Sequence, residues 1–241
     1  MKNKEVTECV KKYASYMEEV KKRTDVVSRL MKMHRAGQSM TGYIETDIDT
    51  VYLQLRKTIE LVMFACIVAN KSAGLALNKT LRKGYEIQKI KSELQRFNLK
   101  FFPTPKLEDG KDSDGIRKVK NLTQDARPFM SEGEIFKAYG KAGNYLHSQR
   151  DYQYGGEEAK LKILERGVDS INQLVSLLNH HWTDITNDSF FAVVMQGEQD
   201  GKVHVSYMER VESPNNSSKK DALTRASSRG VTFHGDYECE Q

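Results

Sequence analysis

The sequence predicts a mainly α fold: a helical bundle, then a small C-terminal β-hairpin, then a flexible tail. Three observations predict it. Apolar residues recur at alternating four- and three-residue steps over long stretches, Ser/Thr-x-x-acid capping patterns open two of the helices, and β-rich alternation is confined to residues 190–207. The bundle is expected over 1–185, the hairpin packed on it over 186–212, and a mobile tail over 213–241, where the composition shifts to Ser, Asn, Lys and Gly.

In the first helix Val6, Val10, Tyr13, Met17, Val20, Val27 and Met31 form one apolar stripe, with Thr24 in its single gap and Gly37 as terminator. Its outer face carries Lys11, Lys12, Lys21, Lys22 and Arg23 and reads as a solvated surface. Thr46 and Asp49 form a variant capping box for a second helix striped by Ile48, Tyr52, Leu55, Ile59, Val62, Cys66 and Ala69. From Leu61 onward that helix is apolar all round, so neighbours must bury it on several sides.

A third, less regular helix follows from Leu77 to Phe97 and stops before Pro103 and Pro105. Residues 106–115 are acidic and glycine-bearing and read as an exposed loop, while 116–120 (IRKVK) suit a short edge strand or a loose nucleic-acid contact. Ser131 and Glu134 form a capping box for the helix that carries residues 139–152, in which Ile135, Phe136, Tyr139, Ala142 and Leu146 are expected to face the core. The last helix is striped by Leu164, Val168, Ile171, Val175, Leu178 and Trp182, and the hairpin pairs 190–195 with 203–207.

With 241 residues, 38% hydrophobic and 29% charged, the chain has the size and composition to bury a core. Its longest apolar run, 61–69, is too short to span a bilayer, and the opening Lys2, Lys4 and Glu5 do not read as a signal peptide. A cytoplasmic protein without membrane contact is expected. Cys9, Cys66 and Cys239 are far apart and odd in number, which supports neither a disulfide framework nor a zinc knuckle. With no phosphate-cradling glycine loop, metal-ligand pair at helical spacing or nucleophile elbow, no cofactor and no metal are expected. The net charge of +5 permits contact with nucleic acid without demanding it.

Chemistry concentrates in 139–152, YGKAGNYLHSQRDY, where Lys141, Asn144 and His147 follow at three-residue steps. On a helix these three fan over about a third of the circumference, so that a cation, an amide and a base converge on one small ligand. Read from the residues alone, a histidine late in a helix is more often a partner of the C-terminal dipole or a satisfied half-buried residue than a catalyst. Arg56 and Glu60 stand one turn apart on the second helix, where the core begins to close, and are placed to meet the His147 stretch across the bundle. Arg150 and Tyr152 lie in the loop that leaves the helix and complete the set of binding candidates.

Two segments together, Leu55-Arg56-Lys57-Thr58-Ile59-Glu60 and Lys141-Ala142-Gly143-Asn144-Tyr145-Leu146-His147, resemble the HEPN superfamily of small α-helical domains. The resemblance covers 46–71 and 131–152. It implies a helical bundle, frequently a homodimer, with an R-x(4-6)-H motif facing its counterpart across the dimer cleft. Active members are metal-independent endoribonucleases, many in toxin-antitoxin and phage-defence systems; others are inactive modules that bind RNA or a partner protein. On this resemblance RNA and a cognate partner or antitoxin are the expected partners, His147 takes the place of the family histidine and Asn144 that of the polar residue.

Lys141 stands where the family has arginine. Cleavage through the 2′-hydroxyl needs a base for its proton and a cation for the developing phosphorane charge. Lysine keeps the charge but loses the planar fork that grips two phosphate oxygens. The expectations are therefore that Lys141 suffices, that Arg56 or Arg150 supplies the guanidinium, or that the protein binds without cutting.

Overall fold

The computed structural model describes residues 2–78, 81, 86–111, 117–147, 155–211, 225–226 and 232–234. Among them are five helices: α1 (Lys2–Arg35), α2 (Ile44–Lys71), α3 (Ile87–Phe97), α4 (Glu132–Leu146) and α5 (Glu157–Leu178). They share the chain with β1 (Thr104–Lys111), β2 (Arg117–Asn121), β3 (His180–Asp184), β4 (Ser189–Val194), β5 (His204–Val211), β6 (Arg225–Ala226) and β7 (Thr232–His234). The expected α fold with a small hairpin is thus corrected. The strands form one antiparallel sheet in the order β2-β1-β3-β4-β5-β6, with β7 also pairing β5.

The hairpin forms, but as the middle of that sheet. Phe190 faces Met208 and Val194 faces His204 across β4 and β5. β3 joins on the far side of β4, and β1 with β2 extends the sheet beyond it. Residues 106–115 are expected to be a loop, yet 104–111 is β1: the strand pairs β3 at Thr104 and Pro105 and β2 from Lys106 to Lys111, and carries no apolar alternation. β2 takes the charged edge expected for IRKVK, from Arg117 onward. Most of the 213–241 stretch, expected as a tail, lies outside the described residues; β6 and β7 fall within it.

The apolar stripe of the last helix predicts that it runs on to Trp182, into what is β3. Instead α5 ends at Leu178, and His180–Asp184 alternates between half-buried and buried positions. The two inward residues are polar, His181 and Thr183, both fully buried. The Tyr13 hydroxyl on α1 bridges them, 2.9 Å from His181 Nε2 and 2.9 Å from Thr183 Oγ1, while His181 Nδ1 lies 2.7 Å from the Leu178 carbonyl. Tyr13 also meets Phe191 edge-on, with ring centroids 5.5 Å apart. This bridge seats the sheet on α1, and Phe191, Val193 and Val205 join the core built by the helices.

α2 is the element around which the helices gather, buried from Ile48 through Asn70 on nearly every turn. It begins at Ile44 after Tyr43, two residues earlier than the expected Thr46 box, and Tyr43 provides no side-chain cap. The reason is Asp47, fully buried, whose carboxylate accepts from Ser39 Oγ and from the Met40 and Thr41 amides and so ties down the preceding loop. α1 ends as expected: Gly37, at φ 74°, donates to the His34 carbonyl while Gln38 donates to that of Met33. α3 starts only at Ile87, with 75–78 in no regular element and 82–85 outside the described residues. At the end of α2, Asn98 Nδ2 donates to Asn70 Oδ1 at 2.9 Å and to the Asp184 carbonyl at 2.8 Å, linking α2 and α3 to β3.

Burial depresses the His181 pKa from 6.5 to about 4. A buried neutral histidine stabilises the fold above the unfolded value and withdraws that stability as the pH falls toward the folded one. Urea unfolding of the wild type is therefore expected to lose stability between pH 6.5 and about 4 more steeply than His181→Gln. Equal slopes in the two proteins would remove His181 as the sensor.

Candidate functional site

α4 is fixed at both ends. The Ser131 hydroxyl accepts from the Glu134 amide, and Glu134 Oε2 accepts from the Ser131 amide at 2.8 Å, which is the expected capping box. The Ser131 hydroxyl also donates to Glu134 Oε2 at 2.6 Å, and this bond, with that from the Ser131 amide, holds the Glu134 carboxyl below its ordinary pKa. Lys91 and Gln95 of α3 each reach Glu132 Oε1 at 3.0 Å. Near the far end the Tyr145 ring stacks on Tyr52 at 4.2 Å, and the Tyr52 hydroxyl donates to the Ile163 carbonyl of α5.

Between these anchors α2 and α4 meet through Arg56. Its guanidinium lies 4.2 Å from the Tyr139 ring centroid, face-on, and rests against Gly143 so closely that a Cβ there would come within 2.8 Å of Nη1. Glu60 Oε1 accepts from the Tyr139 hydroxyl at 3.1 Å and sits 3.6 Å from Arg56 Nε, while Glu60 Oε2 takes Lys57 Nζ at 2.9 Å. At 3.6 Å the Arg56–Glu60 contact is an ion pair too long for a strong hydrogen bond. Stacking and the glycine seat therefore orient the guanidinium, with 29% of the side chain still accessible. Burial raises the Tyr139 phenol pKa, and the Glu60 carboxylate adds to the rise.

Of the sequence candidates, Arg56 and Glu60 come together at the α4 surface. His147 is the C-cap of α4, exposed, its amide donating to the Gly143 carbonyl at 3.1 Å, one turn beyond the residue that Arg56 touches. Asn144 is exposed and immediately follows Gly143. Lys141 is exposed too, but two residues before Gly143 means about 160° around the helix from it, so Lys141 projects from the opposite side of α4 to Arg56. Arg150 and Tyr152 lie outside the described residues.

Two members of the cluster escaped the sequence reading. Tyr139 reads as a core residue from its place in the stripe, yet its ring is the platform for Arg56. Gly143 reads as part of a motif, yet its missing side chain is what admits the guanidinium. The available signal was their four-residue spacing, which puts both on one face of α4. Among the described residues no group of three or more His, Cys, Asp or Glu side chains is placed to hold a metal ion.

The fold is thus a helical layer gathered on α2, with a twisted antiparallel sheet joined to its core. No protein-family model, curated protein or solved structure matches the chain. No helix among the described residues is long and apolar enough to cross a membrane.

Gly143→Ala is expected to push the guanidinium off the Tyr139 ring. The matching measurement is the fluorescence or ultraviolet titration of Tyr139, whose environment should change while the melting temperature falls by the equivalent of about 1–3 kcal/mol. An unaltered tyrosine spectrum and unaltered stability would show that the seat is looser than the contact implies.

Proposed function

We propose that the chain is a HEPN-like, RNA-directed cytoplasmic protein acting as a metal-independent endoribonuclease of a defence or toxin-antitoxin system. The observation that supports this reading is the oriented Arg56 guanidinium, clamped by Tyr139 and Gly143 one helical turn from an exposed His147. Arg56, on α2, takes the role that the family's motif arginine would play, which answers the departure at Lys141. The helices carry the resemblance, and the sheet is an addition to it.

In this proposal the His147 ring removes the proton of a ribose 2′-hydroxyl. The 2′-oxygen then bonds to the adjacent phosphorus and the bond to the 5′-oxygen breaks, with that oxygen taking up a proton as it leaves. The products are a 2′,3′-cyclic phosphate and a 5′-hydroxyl. Arg56 stabilises the extra charge on the phosphorane oxygens, Asn144 orients a nonbridging oxygen, and Arg150 and Tyr152 are assigned to the flanking nucleotides. Glu60 restrains Arg56 directly and through Tyr139, and is itself paired with Lys57.

A second reading is that the module is silent and binds RNA or a cognate protein. It is favoured by the same clamp, since Arg56 also joins α2 to α4 and a purely structural residue would be held in this way.

The two readings separate in one experiment on structured RNAs in the presence of a chelator. Wild type is expected to cut, His147→Ala to lose roughly a hundredfold or more in rate, and Arg56→Lys to lose a comparable factor. Lys141→Ala, on the far side of α4, is expected to cut as the wild type does. Intact RNA with a folded wild type would end the nuclease reading; a marked fall in melting temperature for Arg56→Ala without any cleavage would establish the structural one.

A further inference from the structure

α1 and α5 both pack on α2 and leave an open groove between them on their outer side. Two adjoining hollows of about 420 and 480 Å³ run along it, sharing Met31, Arg35, Val168 and Asn172. Each is of the size that holds a small organic molecule. The floor is apolar, with Val27 and Ile171 buried beneath the first hollow and Val168 beneath both. None of the residues lining the groove belongs to the Arg56–His147 cluster.

The two hollows differ in charge. The first has Lys32 and Arg35 with the Ser28 hydroxyl and the Asn172 amide, and no carboxylate among its described lining residues. The second adds the carboxylates Glu165 and Asp169. All four charged side chains are exposed and make no ion pair among the described residues, so Arg35 stays apart from the two carboxylates with which it shares a hollow. Cations and anions held apart over an apolar floor complement a molecule that carries both charges with an apolar body between them. Along α5 the carboxylates stand three to seven residues before Asn172, about 5–10 Å at the rise of a helix. That is the separation of the two termini in an extended peptide of about two or three residues.

We propose that the groove is a binding site for a short free peptide. Lys32 and Arg35 take its terminal carboxylate in the first hollow, with Ser28 and Asn172 as further donors. Glu165 and Asp169 take its terminal ammonium in the second, and its apolar side chains lie on Val27, Val168 and Ile171. The two carboxylates oppose a nucleic-acid backbone, and an internal segment of a longer protein offers neither terminal charge. The site rests on the groove alone and stands apart from the ribonuclease reading.

Calorimetric titration of the full chain with alanyl-leucyl-alanine tests it without RNA, beside the same peptide acetylated at its amine, amidated at its carboxylate, or blocked at both ends. The free peptide is expected to bind saturably, and each single block to raise the dissociation constant roughly tenfold. Lys32→Ala is expected to weaken the free peptide and to abolish most of the cost of amidation while leaving that of acetylation. Asp169→Asn is expected to do the reverse, a coupling that a merely structural residue would not show. Circular dichroism confirms that these exposed substitutions leave the helices intact. A folded wild type that binds no peptide, a doubly blocked peptide that binds as well as the free one, or terminal blocks that cost the same in wild type and variants overturns the proposal.

Discussion

The molecule is built to cover one helix. From Leu61 to Asn70 every α2 side chain is buried or half-buried, and a stretch of helix that is apolar all round has no face to give to water. α1, α4, α5 and the short α3 are the covering, and their places follow from that need. At the N-terminal end Asp47 closes the cover by capturing the 39–41 loop, and at the C-terminal end Asn70 and Asn98 hand hydrogen bonds on to β3. Single buried polar groups of this kind are stable only because each finds its partners.

Arg56 and Glu60 mark where the cover is incomplete. They are on the flank of α2, at 29% and 20% side-chain exposure, in contact with α4 through Tyr139 and Gly143. An isolated i,i+4 pair at that exposure contributes only a few tenths of a kcal/mol. What the arrangement provides is orientation: a planar cation held on an aromatic face at the rim of a core, beside an exposed helix C-terminus bearing histidine.

The helices were legible because their stripes and caps are local. Gly37 and the Ser131–Glu134 box declare their ends in the sequence, and the structure shows both. β3 was not legible, since its inward residues are His181 and Thr183 and its outward one is Trp182, the reverse of the usual polarity. The Tyr13 hydroxyl, 168 positions away in the chain from His181, and the Leu178 carbonyl make that inversion tolerable. β1 was hidden for a related reason, being a strand specified by its neighbours rather than by alternation. At the site, the encounter of Arg56 with the 139–147 helix could be anticipated from the two motifs. Tyr139 as a platform could not, because a half-buried tyrosine in an apolar stripe carries no mark of its partner.

The central claim is the proposal that an RNA phosphate is received at the Arg56 guanidinium, with His147 four residues beyond its Gly143 seat. It is tested most directly by nuclear magnetic resonance, with a short RNA whose reactive 2′-hydroxyl is replaced by hydrogen so that it binds without being cut. The account predicts that the His147 ring and Arg56 Nε–H resonances shift together and saturate with the RNA, while Lys141 resonances stay in place. Saturable binding that leaves both Arg56 and His147 unmoved would contradict it.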